Sequence, residues 1–153
     1  MNVTRGLAIL VLFLGVVAVV IGGVFLGQGF AKDAQLKEAM RAEHVVLGIE
    51  SDLEGEVIDS LSESQEAGDT IREHRRGIAA TYEDLLGEGR YDPTNPQHLS
   101  YAQALNLENY LYLAVVAFGL TQSVTASGAF MIVSGIALAG TGFALYRISR
   151  LHT

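Results

Sequence analysis

The chain contains no cysteine. That absence removes disulfides, thiol nucleophiles, iron–sulfur ligation and cysteine-based zinc sites together, and leaves histidine and the carboxylates to carry any metal or acid–base chemistry. Proline is nearly missing as well. Pro93 and Pro96 are the two present, so every break imposed by proline falls in one short stretch. Charge is absent from Gly6 to Ala31 and again from Asn109 to Tyr146, and no acidic residue precedes Asp33 or follows Glu108. Nucleotide signatures are missing too. There is no Gly-x-x-x-x-Gly-Lys-Ser/Thr loop and no Gly-x-Gly-x-x-Gly after a strand, and Gly27-Gln28-Gly29 lies inside an apolar run.

What is present begins with those two uncharged runs, both longer than the ~20 residues that cross a hydrocarbon core. The first competes with a signal peptide, but secretory apolar regions are usually ~7 to 15 residues long, and no small-x-small cleavage pattern stands before Lys32. It reads as a retained anchor spanning about residues 7–29. The segment from Lys32 to Glu108 holds seventeen acidic and seven basic residues, a net charge of −10, whereas Arg5, Arg147 and Arg150 flank the apolar runs. By the positive-inside rule both termini are cytoplasmic, the acidic middle is extracytoplasmic and the chain sits in the cell membrane. The second run, as one helix, would be ~57 Å long at 1.5 Å per residue. A hairpin turning near Thr121-Gln122-Ser123 would pull Glu108 into the membrane and leave Arg147 and Arg150 outside, so a single crossing over about 121–146 is expected.

Small residues recur every seven positions in both runs: Ala8, Gly15, Gly22 and Gly29 in the first, Thr121, Gly128, Gly135 and Gly142 in the second. In a membrane, helices associate by packing, and small residues let two backbones approach closely. An antiparallel pair would set Ala8 beside Gly142, Gly15 beside Gly135, Gly22 beside Gly128 and Gly29 beside Thr121. Ser127, Ser134 and Thr141 precede the second series at the same spacing, and Gly23-x-x-x-Gly27 adds a further small pair. The expected fold is an all-α integral membrane protein: a long antiparallel two-helix transmembrane hairpin carrying a small helical extracytoplasmic domain.

Three regions follow: residues 1–31 as the N-terminal membrane helix, 32–108 as the acidic domain, and 109–153 as the rest of a long C-terminal helix with its span and a short tail. No breaker interrupts Ala31 to Leu47, so the first helix is expected to continue over about 31–48, and Gly48 to Leu61 reads as a loop. Ser62 with Gln65, or Ser60 with Glu63, offers a capping box for a helix over about 62–86, with Ala67, Ile71, Ile78, Tyr82 and Leu85 as its apolar stripe. Asn95 before Pro96 starts the last helix at about 96.

Candidates for chemistry are sparse. His44, His74 and His98 lie on three separate stretches and would be the metal ligands if a bundle brought them together. Glu-His dipeptides at Glu43 and Glu73 do not share a helix face, and the Glu-x-x-His spacing of bundle metal sites is absent, so His74 reads more simply as a packing residue beside Ile71 and Ile78. No catalytic set and no cofactor site is expected. Arg72, Arg75 and Arg76 are the one basic cluster. It reads as pairing with Asp69 and Glu73 or as a local partner contact, since an acidic domain gives no nucleic-acid footprint. Glu108, between Asn106 and Asn109, is either a carboxylate working near the membrane surface or part of a polar face. Tyr110, Tyr112 and Phe118 stand in the apolar stretch above the second span and are expected to face a partner; Tyr110, Tyr112 and Tyr146 also suit an interfacial anchor.

The tract from Ile71 to Tyr82, the Asp92-Pro93 turn, and above all YAQALNLENYLYLAVVAFGL at Tyr101–Leu120 resemble a family of small two-span membrane proteins of actinobacteria and neighbouring phyla. The counterparts of the family's motifs are Ile71 with His74, Thr81-Tyr82-Glu83-Asp84-Leu85, and Val115-Val116-Ala117-Phe118-Gly119, which together cover about half of the chain. Some members carry the label of an aromatic ring-opening dioxygenase, for which this chain has neither the ligand spacing nor the size. The resemblance implies two spans and no established activity. The function expected is that of a non-catalytic accessory or scaffold subunit of a larger membrane complex, such as an oxidoreductase or monooxygenase assembly, touching membrane lipid and other integral subunits. A metal- or ligand-binding extracytoplasmic sensor and a self-assembling homo-oligomer are the alternatives.

Overall fold

The computed structural model describes residues 3–46 and 55–151, and every regular element in them is helical. The elements are α1 (Val3–Glu43), α2 (Leu61–Ile78), α3 (Tyr82–Leu86) and α4 (Pro96–Leu151). Both α1 and α4 are long and apolar enough to cross a membrane. In their most apolar windows only 11% and 17% of residues are buried, unlike a core helix of a soluble protein, and the apolar surface faces outward at Phe13, Phe30, Phe130, Val133 and Phe143. Such a surface suits association with a membrane.

Two compact units divide the chain, the first formed by Met1–Asp33 with Leu120–Thr153 and the second by Ala34–Gly119. In the first unit the two long helices meet where side chains are smallest. Ala8, Gly15, Gly22 and Gly29 are the buried residues of α1, and Gly128, Gly135 and Gly142 are buried on α4. A Cβ placed on Gly22 would lie 2.7 Å from the Gly128 carbonyl oxygen, and one on Gly135 would lie 2.7 Å from that of Gly15. Three of the glycines also receive a larger side chain from the opposite helix, Gly135 that of Val19, Gly128 that of Leu26 and Gly22 that of Ile132, while Gly142 and Gly15 meet the backbones of Leu12 and Ala139. The half-buried Leu12, Val19 and Leu26 fall between the small residues of α1. With them the inward positions step by four and three, the seam of a coiled coil. Gly29 meets Thr125 in place of the anticipated Thr121, which instead lies within hydrogen-bonding range of Asp33 at 3.5 Å. Thr125 turns its hydroxyl back to the Thr121 carbonyl, so a threonine fits there without an orphaned polar group.

The second unit is built on α2. Ser60 caps it by accepting from the Glu63 amide at 3.3 Å, as one of the two expected caps has it, but the Glu63 carboxylate accepts from the Asp59 amide at 2.9 Å and not from that of Ser60, so the reciprocal half of the box is shifted by one residue. The helix expected to run unbroken over 62–86 is two helices. Ala79 turns extended, and Thr81 begins α3 with its own capping box to Asp84. Tyr82, counted on the apolar stripe, is exposed as a result. At the end of α1, His44 adopts φ 51° and stops the helix after Glu43; the expected end at Gly48 lies outside the described residues. Beyond it the Ile58 amide donates to the Val45 carbonyl at 3.1 Å, and Ile58 enters a small core with Ala67, Ile71 and Leu111, flanked by Met40, Ala104 and Leu107. Asn95 caps α4 through the Gln97 amide at 2.9 Å, and the whole stretch Asn109–Tyr146 lies in one uninterrupted helix.

Replacing Gly22 with Ile forces a branched side chain against the α4 backbone, and overpacking of this kind costs about 1–3 kcal/mol or more. Gly23 has nothing within 4 Å of its Cβ position, so Gly23→Ala is expected to be neutral or to stabilise by up to about 1 kcal/mol. Unfolding of the purified protein in detergent, followed by far-UV circular dichroism, checks both.

Candidate functional site

Helix α2 presents Ser64, Ala67, Gly68, Ile71 and Arg75 inward. On α4 the inward residues of the same unit are Tyr101, Glu108, Leu111, Ala114 and Phe118. Each row carries one full charge, the two of opposite sign, and the two charges find one another. Arg75 Nε donates to Glu108 Oε2 at 2.6 Å, Nη2 reaches Oε1 at 3.5 Å, and Nη1 donates to the Tyr101 hydroxyl at 2.6 Å. Arg75 is 8% exposed, Glu108 7% and Tyr101 2%. Tyr101 also lays its ring 5.0 Å from the guanidinium carbon. The Glu108 carboxylate, through its hydrogen bond, raises the Arg75 pKa against the opposing effect of burial, so the arginine stays charged.

A second network lies one to two turns earlier on α2. The Tyr112 hydroxyl donates to Asp69 at 2.6 Å, Arg72 donates to the same carboxylate oxygen at 2.6 Å, and the Arg72 guanidinium lies 5.6 Å from the Tyr112 ring centre. Gly68 makes room for that ring: its Cβ position is 3.3 Å from Tyr112 Cε1. Burial first, and then the Asp69 bond, push the Tyr112 pKa up to about 12, and the Tyr112 bond holds the Asp69 carboxyl below its usual value.

These contacts reassign several residues. Of the arginine cluster, Arg72 pairs within α2 as anticipated, but Arg75 reaches across to α4, where the buried Glu108 is its partner. Tyr110, Tyr112 and Phe118 divide in the same way. Tyr110 is 71% exposed, Tyr112 is half-buried with its hydroxyl on Asp69, and Phe118 is 1% exposed and turned into the unit's own interior. The reason is helical phase, since Phe118 is seven residues from Leu111 and shares its inward face. The outward row is Tyr110, Leu113 and Val116, all more than 60% exposed.

The candidate metal ligands have separate surroundings. His44 contacts the Arg41 carbonyl, and His98 Nδ1 accepts from the Asp92 amide at 3.0 Å while its ring stacks on Tyr91. His74 lines a shallow hollow with Ile78, Pro96, Gln97 and Ser100. Among the described residues, no three His, Asp or Glu side chains are placed to hold a metal ion. The arrangement that the geometry does provide is a clamp, two polar networks fixing α2 to α4.

The fold thus defines an all-helical protein with two helices able to cross a membrane and a smaller helical unit held by a buried ion pair. Comparison with protein-family models, curated proteins and solved structures finds no match. The resemblance drawn from the Tyr101–Leu120 stretch is carried by its short motifs alone.

Removing one member of the buried pair leaves a charge without its partner, at a cost of about 3–5 kcal/mol. Arg75→Met is therefore expected to release α2, seen as fast hydrogen exchange of its amides, and adding Glu108→Leu is expected to restore most of the protection. The second network has a pH signature. The Tyr112 pKa is raised from 10.0 and that of Asp69 lowered from 3.8, so their contribution to stability is present between those values. It is lost as pH rises toward 12 and as pH falls through the lowered Asp69 pKa. Ultraviolet titration should show a tyrosinate step at about 12 that disappears in Tyr112→Phe.

Proposed function

We propose that the chain is a two-span plasma-membrane protein, an antiparallel helical hairpin with cytoplasmic termini and an extracytoplasmic acidic unit. It serves as a non-catalytic accessory or scaffold subunit of a larger membrane complex. The observation that carries this reading is the outward row Tyr110, Leu113 and Val116 of α4. In that unit α4 lies against the Leu36–Glu43 stretch of α1, which bears the charged Lys37, Glu38, Arg41 and Glu43. Charges at that level mark water on this topology. An exposed row of large apolar side chains in water is a surface for another protein.

The polar clamp supports the same reading, because it spends Arg75, Glu108, Tyr112 and Asp69 on holding the unit together. A homo-oligomer is the second reading. It is favoured by Gly23 and Gly27, which have open space around them and would admit a further helix on the outer face of α1.

Native mass spectrometry of the full-length protein, extracted from its own membrane in mild detergent, separates these. A stoichiometric assembly with a different subunit, dissociated by Leu113→Glu, is expected. A self-assembly would select the second reading, and a lone monomer would overturn both. For topology, a cysteine-free chain suits single labels: Thr94→Cys should react with a membrane-impermeant maleimide on intact cells, and Ser149→Cys only after permeabilisation.

A further inference from the structure

Within the second unit, the end of α1 and the Leu107–Leu111 stretch of α4 line a cavity of about 530 Å³. That volume falls within the roughly 300–1,000 Å³ of small-molecule sites. Leu36, Met40, Leu107 and Leu111 give the cavity apolar walls, and Glu43 and Tyr110 are the two residues of its lining with polar tips. Both are exposed, and neither side chain has a hydrogen bond or ion pair among the described residues. The nearest arginine in sequence, Arg41, is engaged by Asp59 instead. Glu43 is also the last residue of α1, where the helix dipole adds partial negative charge to that of the carboxylate. The surrounding segment from Lys32 to Glu108 carries a net charge of −10.

These features select among ligands. One carboxylate supplies too few oxygens for a hard metal ion, which takes six or more. The same carboxylate repels a fatty acid. A cation with an alkyl body suits both halves of the cavity, since its head meets a carboxylate and the face of an aromatic ring while its body leaves water for apolar walls. We propose that this cavity binds an alkylammonium-type organic cation, with its head at Glu43 and the Tyr110 ring and its alkyl body against Leu36, Met40, Leu107 and Leu111. The site lies wholly in the second unit and stands on the cavity and its carboxylate, so it depends neither on the membrane crossing nor on the outward row of α4. It is also separate from the three histidines.

The test titrates octyltrimethylammonium, a permanent cation, into full-length protein in phosphatidylcholine nanodiscs and follows the methyl signals of carbon-13-labelled methionine. Met40 lines the cavity, whereas Met131 belongs to the first unit and reports nonspecific partition. The expected result is a saturable shift of the Met40 methyl without one at Met131. Affinity should fall roughly fivefold in Glu43→Gln, as for the loss of one solvent-exposed charge partner. Ala39→Trp, which fills the cavity from its lining, should abolish the shift, and Glu66→Gln, which removes the same charge from α2, should leave the affinity unchanged. Octanoate and octanol should bind more weakly than the cation. An equal affinity for octanol or octanoate would overturn the proposal and identify an apolar groove alone. The absence of a Met40 shift, an equal shift at Met131, undiminished binding in Glu43→Gln or an equal loss in Glu66→Gln would overturn it as well.

Discussion

The contact that everything else depends on is the approach of backbone to backbone across glycine. Between α1 and α4 there is no space for a Cβ at Gly15, Gly22, Gly128, Gly135 or Gly142, because a carbonyl or amide of the other helix already occupies it. Glycine weakens a helix in water. That cost is offset here by the depth of the contact, in which the Val19 and Leu26 side chains enter the gaps left on α4 and that of Ile132 the one left at Gly22. The alternation of small and large explains why Gly23 and Gly27, one helix face away, are open while Gly22 and Gly29 are filled.

A different solution holds the second unit. Its apolar core is small, with Ile58, Ala67, Ile71 and Leu111 at the centre, and a core of that size would be marginal alone. The Arg75–Glu108 pair and the Tyr112–Asp69 bond supply direction that apolar contact lacks, since each demands one rotation of α2 about its axis. A buried pair of this kind is weak evidence for net stability and stronger evidence for a fixed arrangement. Fixing α2 is what leaves Tyr110, Leu113 and Val116 outward as a constant surface.

Much of this was legible in the residues. The uncharged runs gave two long helices, and the Asn95-Pro96 start of α4 followed from local chemistry that needs no distant partner. The seven-residue series named the residues buried in the seam, although the interleaved Leu12, Val19 and Leu26 were hidden among other apolar residues of the same kind. Ile58 does lie outside the helices, as expected, but its burial was not legible because it depends on Val45, thirteen positions earlier. Arg75 and Glu108 each stood on an apolar row, which was the available signal, but a neighbouring Glu73 or Asp69 offered Arg75 a closer partner in sequence. Phe118 was placed outward for a related reason: an aromatic residue in an apolar stretch fits inside and outside equally well until the helix phase is fixed.

The sequence alone determined which segments are helical and apolar, where charge is excluded, and which positions are too small to keep two helices apart, because those properties belong to residues and their spacing along one chain. Only the tertiary structure decided which charge meets which, where α2 breaks from α3, and which aromatics turn inward. Those outcomes depend on the rotation of one helix against another, a quantity set by all the contacts of both helices at once.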